Sequence, residues 1–122
     1  MTRILPVELD ERLSAGDRPF VLDIRPASDY RSDAIEGSHS VPVYDELRSG
    51  EEGPLRNRLD EIPAEREVVV VCKMGIVAKR ATSVLDDAGY DAATLAGGMH
   101  GWKGYRNGTL TYRLRSLVWR VF

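Results

Sequence analysis

At 122 residues, with 43% hydrophobic and 30% charged side chains, the chain has the size and make-up of one globular domain, which excludes a wholly disordered polypeptide. It contains no apolar run of about 18 residues, so no helical membrane span is expected, and its acidic opening is not that of a secretory signal. The net charge is −2 but unevenly spread: all nineteen acidic residues lie at or before Asp91, leaving residues 1–102 at −7 and the last twenty at +5. A body this acidic argues against nucleic acid as a partner.

In chain order, Val7–Ala15 predicts a helix, with apolar Val7, Leu9 and Leu13, Pro6 suited to its first turn and Gly16 to its stop. Pro19–Ile24 is an apolar run of strand length, closed by Arg25-Pro26. A short helix is expected over Ala27–Ser32, and a short strand over Ser40–Val43. Residues 44–63 read as two helical pieces broken at Gly50–Pro54, the second over Leu55–Ile62. Glu67–Cys72 is the strongest strand, since four consecutive valines imply burial on both faces of a parallel sheet. After Lys73-Met-Gly75, residues Ile76–Ala88 predict a helix offering Ile76, Val77, Val84, Leu85 and Ala88 to the core, with Gly89 as its stop. Ala92–Leu95 predicts a strand, and Gly97-Gly98 a turn before a brief helix ending near Trp102. Alternating strands and helices point to an α/β domain with a mostly parallel sheet.

Cys72 is the only cysteine, which leaves no partner for an intrachain disulfide and makes a reducing, cytoplasmic setting the expectation. It stands at the carboxyl end of the most buried strand, one short loop before a helix, where ligands of open α/β sheets bind. Backbone N–H groups of such a loop and of the helix start favour an anion, and a thiolate is the reactive form of cysteine. Lys73 adds a cation, and Gly75 permits a backbone conformation that a Cβ forbids. The plain alternative is that Cys72 is the fifth apolar residue of a buried strand. Asp23 and Arg25, at the end of the neighbouring strand, either support the cysteine loop through hydrogen bonds or form a local ion pair. His39 and His100 read as solvated loop residues, and Lys79, Arg80, Asp86 and Asp87 as the wet face of a helix.

Cys72-Lys-Met-Gly-Ile-Val-Ala78 resembles the active-site loop of the rhodanese (sulfurtransferase) family, Cys-x-x-Gly-x-x-Ala/Ser before a helix, and is especially similar to the thiosulfate form Cys-Arg-Lys-Gly-Val-Thr-Ala. Val21-Leu-Asp-Ile-Arg25, then Asp29-Tyr with Ile35-Glu-Gly37 and Val41-Pro42, then Gly89-Tyr90, then Leu95-Ala-Gly-Gly-Met99 with Trp102, resemble further family motifs in the family's order, over about residues 4–105. The pattern departs at Val77, where many members carry Arg, at Met74, where the thiosulfate form has a second cation, and at Asp33-Ala34, where Gly-His is common. A cysteine phosphatase needs Cys-x5-Arg, and the required position is Ala78.

The resemblance implies a five-stranded parallel sheet with helices on both faces over residues 1–106. It implies a sulfurtransferase in which Cys72 takes a sulfane sulfur from thiosulfate or a persulfide, becomes a persulfide, and passes the sulfur to a thiophilic acceptor. Residues Lys73, Met74, Gly75, Ile76 and Val77 would bind the substrate. No metal or cofactor is implied. With no second cysteine, the acceptor is external: cyanide, a small thiol or a sulfur-carrier protein. A non-catalytic binding or regulatory module of the same fold is the alternative, supported by Val77 and Met74.

Residues 107–122 extend past the resemblance. Leu110, Leu114, Leu117, Val118 and Val121 recur at helical spacing beside Arg113, Arg115 and Arg120. Such a basic amphipathic extension is expected to dock on its own acidic body or to pair with a second copy. A short helix with few cations is a weak membrane anchor.

Overall fold

The computed structural model describes residues 2–108, so the amphipathic stretch from 109 to 122 lies outside the described residues. Five parallel strands form one sheet: β1 (Thr2–Ile4), β2 (Phe20–Asp23), β3 (His39–Ser40), β4 (Val68–Val71) and β5 (Ala92–Leu95). Their order is β1-β5-β4-β2-β3, which puts β4 at the centre. The connecting helices are α1 (Pro6–Ser14), α2 (Ala27–Ser32), α3 (Tyr44–Arg48), α4 (Gly53–Arg56), α5 (Ala78–Asp87) and α6 (Gly98–Asn107), with a 3-10 turn at Leu59–Glu61.

The four valines of β4 are buried, and they divide by parity, because successive strand side chains point to opposite faces. Val68 and Val70 join Leu22, Ile24, Leu47, Leu55, Ala81 and Leu85, a core closed by α3, α4 and α5. Val69 and Val71 join Ile4, Leu9, Met99 and Trp102, a core closed by α1 and α6. Helices therefore cover both faces. Each fully buried Val or Leu contributes about 1.5–3 kcal/mol, so this central strand anchors both layers. Cys72 continues the parity of Val68 and Val70, which aims its side chain at the α5 face.

Several elements differ from their sequence-based bounds, each for a local reason. β1 has no counterpart among the predicted strands. Its three residues are too few to show alternation, yet they pair with Ala93–Leu95 at the sheet edge. β3 stops at Ser40, although Val41 and Val43 remain buried. Pro42 has no N–H for a ladder, and the Val43 N–H turns back to the Val41 carbonyl at 2.8 Å. α5 starts at Ala78 rather than Ile76, because residues 73–77 wrap the cysteine instead. Ile76 is consequently 72% exposed rather than in the core, and Ala88, just beyond the helix, is exposed as well. α6 continues past Trp102 to Asn107. Tyr105 donates to the Asp10 carboxylate of α1 at 2.8 Å and Arg106 at 3.2 Å, tertiary contacts that outweigh the poor helix propensity of Gly101 and Gly104. No helix among the described residues is long and apolar enough to cross a membrane.

Candidate functional site

Cys72 leaves β4 at its carboxyl end, and the chain bends around its sulfur. The Gly75 N–H donates to Sγ at 3.0 Å and the Ala78 N–H, at the start of α5, at 3.3 Å. Cys72 is buried, 1% exposed. Such a cradle favours negative charge on sulfur through backbone dipoles that need no reorganisation.

The cradle is held from outside by the Gly97-Gly98 turn. Met99 N–H donates to the Cys72 carbonyl at 2.8 Å and His100 N–H to the Lys73 carbonyl at 3.0 Å, so the first amides of α6 find their partners in the cysteine loop. The approach is too close for a side chain. A Cβ on Gly98, whose φ is +58°, would stand 2.5 Å from the Cys72 carbonyl oxygen, and one on Gly75, at φ +86°, 2.9 Å from the Gly97 nitrogen. This contact was not legible as part of the site from the sequence. The Gly-Gly pair signals a turn, but which loop it meets is set by the β4–β5 pairing.

The five loop residues after Cys72 split by role. Gly75 alone of them is buried. The Lys73 ammonium lies over the ring of Tyr44, on α3, at 4.6 Å from its centroid. Met74 and Ile76 are 55% and 72% exposed. Val77 is half-buried and, like Tyr44, packs against the core cluster that contains Cys72.

Asp23 and Arg25 are both buried and bind each other: the guanidinium donates from Nε at 3.1 Å and from its Nη2 at 2.9 Å to the Asp23 carboxylate. Burial is the largest single effect and opposes the Arg25 charge, but the hydrogen bonds and negative charges of Asp23 and Asp33 together outweigh it, so its pKa rises above the ordinary value. The same guanidinium donates to the Asp33 carbonyl at 2.6 Å, and Asp33 in turn pairs with Lys103 of α6. The Lys103 hydrogen bond, opposed by burial and helped by the Lys103 and Arg25 charges, lowers the Asp33 pKa. Arg25 meets the cysteine loop as a neighbour: it shares a cavity of about 320 Å³ with Lys73, Met74, His100 and Lys103. His100 is exposed there, whereas His39 is partly covered and bonded to Glu61 at 2.9 Å. Lys79, Arg80, Asp86 and Asp87 are exposed on α5.

A family model described as Rhodanese-like domain matches residues 5–105. The HTH-type transcriptional regulator Rv0324 of Mycobacterium tuberculosis is 29% identical over 102 residues, covering 82% of this chain and 41% of that protein. The probable adenylyltransferase/sulfurtransferase MoeZ of the same species is 30% identical over 100 residues, 81% of this chain but 24% of MoeZ. Among solved structures, a NAD-dependent persulfide reductase from A. fulgidus aligns with a TM-score of 0.62 and 32% identity, over 84% of this chain and 16% of that one. The chain thus spans less than half the length of each of these three proteins. With the match running from the first helix through α6, the chain belongs to the rhodanese-like domain family.

Proposed function

We propose that this chain is a sulfurtransferase that carries sulfane sulfur on Cys72. Sulfur transfer is supported at the level of the family by the domain match and the sulfurtransferase relative. The observation that carries the reading to this chain is the pair of backbone N–H groups, from Gly75 and Ala78, directed at Sγ. In the first step the Cys72 thiolate attacks the outer sulfur of the donor. A bond forms between Sγ and that sulfur, and the bond to the rest of the donor breaks; with thiosulfate, sulfite leaves with the electron pair. In the second, an acceptor nucleophile takes the outer sulfur and Sγ departs as thiolate. The cradle amides stabilise the sulfur charge at both stages. Lys73 steers an anionic donor. Cys72 has no second cysteine to resolve it, so the sulfur leaves to cyanide, a small thiol or a carrier protein.

One observation favours a second reading, a rhodanese-like binding or regulatory module without turnover. The loop presents Met74 and Ile76 to solvent rather than a ring of cations. A relative in which the domain is part of a transcriptional regulator agrees with that reading.

The test is intact mass after incubation with thiosulfate, beside a thiosulfate:cyanide assay of the wild type and Cys72→Ser. A gain of one sulfur atom, removable by reductant, with thiocyanate production lost in Cys72→Ser, is the expected result. No added sulfur with thiosulfate or with inorganic polysulfide leaves the module reading.

A further inference from the structure

The two amides that reach Sγ are braced by different parts of the fold. Gly75 meets the Gly97-Gly98 turn, where neither Gly75 nor Gly98 has room for a Cβ. Ala78 opens α5, and its carbonyl accepts a hydrogen bond from the Thr82 hydroxyl, one turn on, at 3.0 Å. The Thr82 hydroxyl oxygen in turn lies 2.7 Å from that of Thr94 on β5. A carbonyl only accepts, so the single Thr82 hydroxyl proton is committed to Ala78, and Thr94 is the donor of the threonine pair.

Both threonines are enclosed, Thr82 at 0% and Thr94 at 2% exposure. Among the described residues the other buried polar side chains are Asp23 and Arg25, which pair with each other. A hydroxyl placed in an apolar core costs free energy unless it is bonded, and once bonded it fixes a direction that a methyl group does not. Thr94 is the ladder partner of Val70, two residues before Cys72, and Val70 and Cys72 face α5 together. The contacts therefore close a ring. It runs from β4 and its sulfur through the Ala78 amide into α5, through Thr82 to Thr94, and back across the β5–β4 ladder. The Ala78 amide, at 3.3 Å, is the longer of the two contacts to Sγ, so a small shift at the start of α5 weakens it first.

We propose that Thr82 and Thr94 are positioning residues of the Cys72 site: their hydroxyl relay sets the first turn of α5 so that the Ala78 N–H is aimed at Sγ and holds it as thiolate. The inference rests on the reading of Cys72 as the sulfur that reacts. The threonines act through Ala78, and their contribution is to the charge state of the sulfur rather than to donor binding.

The experiment compares the wild type with Thr82→Val/Thr94→Val, which removes both hydroxyls together and so orphans neither, and with Thr82→Ser/Thr94→Ser, which keeps them. The quantity read is the ultraviolet absorbance of the thiolate against pH, taken as the difference from Cys72→Ser in each background; it needs no reagent to enter the buried site. In the valine pair the profile moves to higher pH by about half a unit to one unit, as expected when one of two donors to a charged acceptor is weakened. The serine pair keeps the wild-type profile, and Thr94→Val alone, which leaves the Thr82 bond to Ala78, moves it by less. Tyr90→Phe loses hydroxyl bonds to the Leu59 and Ile62 carbonyls, which do not involve the cysteine loop. It should melt lower and keep the wild-type profile, which separates positioning from lost stability. A profile unmoved in the valine pair, moved equally in the serine pair, or moved equally by Tyr90→Phe overturns the positioning role. Sulfur uptake from inorganic polysulfide, read by intact mass, is scored separately: uptake with an unmoved profile overturns the positioning role and leaves sulfur transfer standing, and a profile that moves as expected without uptake does the reverse.

Discussion

The ammonium of Lys73 rests 4.6 Å above the ring of Tyr44, which ties the first residue after the cysteine to the helix that follows β3. A lysine on an exposed loop samples many rotamers; one held on an aromatic face is pre-positioned for an anion. A cation–π contact at an accessible site is worth about 0.5–1 kcal/mol. Tyr44→Leu is therefore expected to raise the KM for thiosulfate about two- to fivefold with little change in kcat. Tyr44→Phe, which keeps the ring, should restore the wild-type value. Equal KM values in all three chains, from steady-state thiocyanate assays, would show that the lysine does not read the donor.

Gly98 is the tightest point between the two halves of the site. Gly98→Ala forces a Cβ to within 2.5 Å of the Cys72 carbonyl oxygen and 2.7 Å of the Gly75 nitrogen, at a left-handed φ. Strain of this kind costs about 1–3 kcal/mol before the clash is counted. The expected outcome is a lower melting temperature together with slower sulfur loading, because relief of the clash moves the Gly75 amide that bonds Sγ. The checks are thermal melts and intact mass after timed exposure to donor. Loading at the wild-type rate would mean that the amide cradle tolerates displacement.

The Asp23–Arg25 pair should behave as a buried ion pair does. Arg25→Met leaves the 1%-exposed Asp23 carboxylate without its partner, and removing one member of such a pair typically costs about 3–5 kcal/mol. The double variant Asp23→Leu/Arg25→Met should recover most of that loss, since no charge remains buried. Urea midpoints of the three chains decide it. A single variant as stable as the wild type would show that the pair does not hold the Asp33 segment in place.

Acid should expose a smaller effect at Glu61. Its pKa is lowered from 4.5 to about 2, first by the hydrogen bond from Arg58 and then by that from His39. A carboxylate lowered on folding contributes stability in full above its unfolded value and loses it as pH falls through its folded value. The contribution is therefore present at neutral pH and fades between pH 4.5 and about 2. Glu61→Gln should be less stable than the wild type at neutral pH, with the gap narrowing over that window and in high salt. A gap that persists unchanged at pH 2 would assign it to packing.

The central strand, the cysteine loop and the α/β alternation are legible in the sequence because each is carried by local signals: four valines, a Cys followed by glycine, and glycines that stop helices. The α2 and β5 bounds, Ala27–Ser32 and Ala92–Leu95, coincide with the residues that predict them. What was hidden is non-local. Thr2–Ile4 becomes a strand only because β5 lies beside it, and α6 outlasts two glycines only because Asp10 waits on α1. Ile76 carries the apolar signal of a core residue, but the turn that brings the Gly75 and Ala78 amides to Sγ swings it outward. For Asp23 and Arg25 the sequence left loop support and a local pair open; the hydrogen bonds of the guanidinium go to Asp23 and Asp33.

The partnering of β1 with β5 has a kinetic side. The first strand of the domain finds its place only when residues 93–95 arrive, and the cysteine loop gains its outer brace only when Gly97 and Gly98 follow. During synthesis or refolding, then, the lone thiol is present well before the amides of α6 that steady its loop. Non-local parallel pairings of this kind close slowly, because the entropy of a long loop is spent before contacts repay it. A nascent or partly unfolded chain therefore passes through a stage in which Cys72 is chemically unguarded, open to oxidation or to mixed disulfides with other chains.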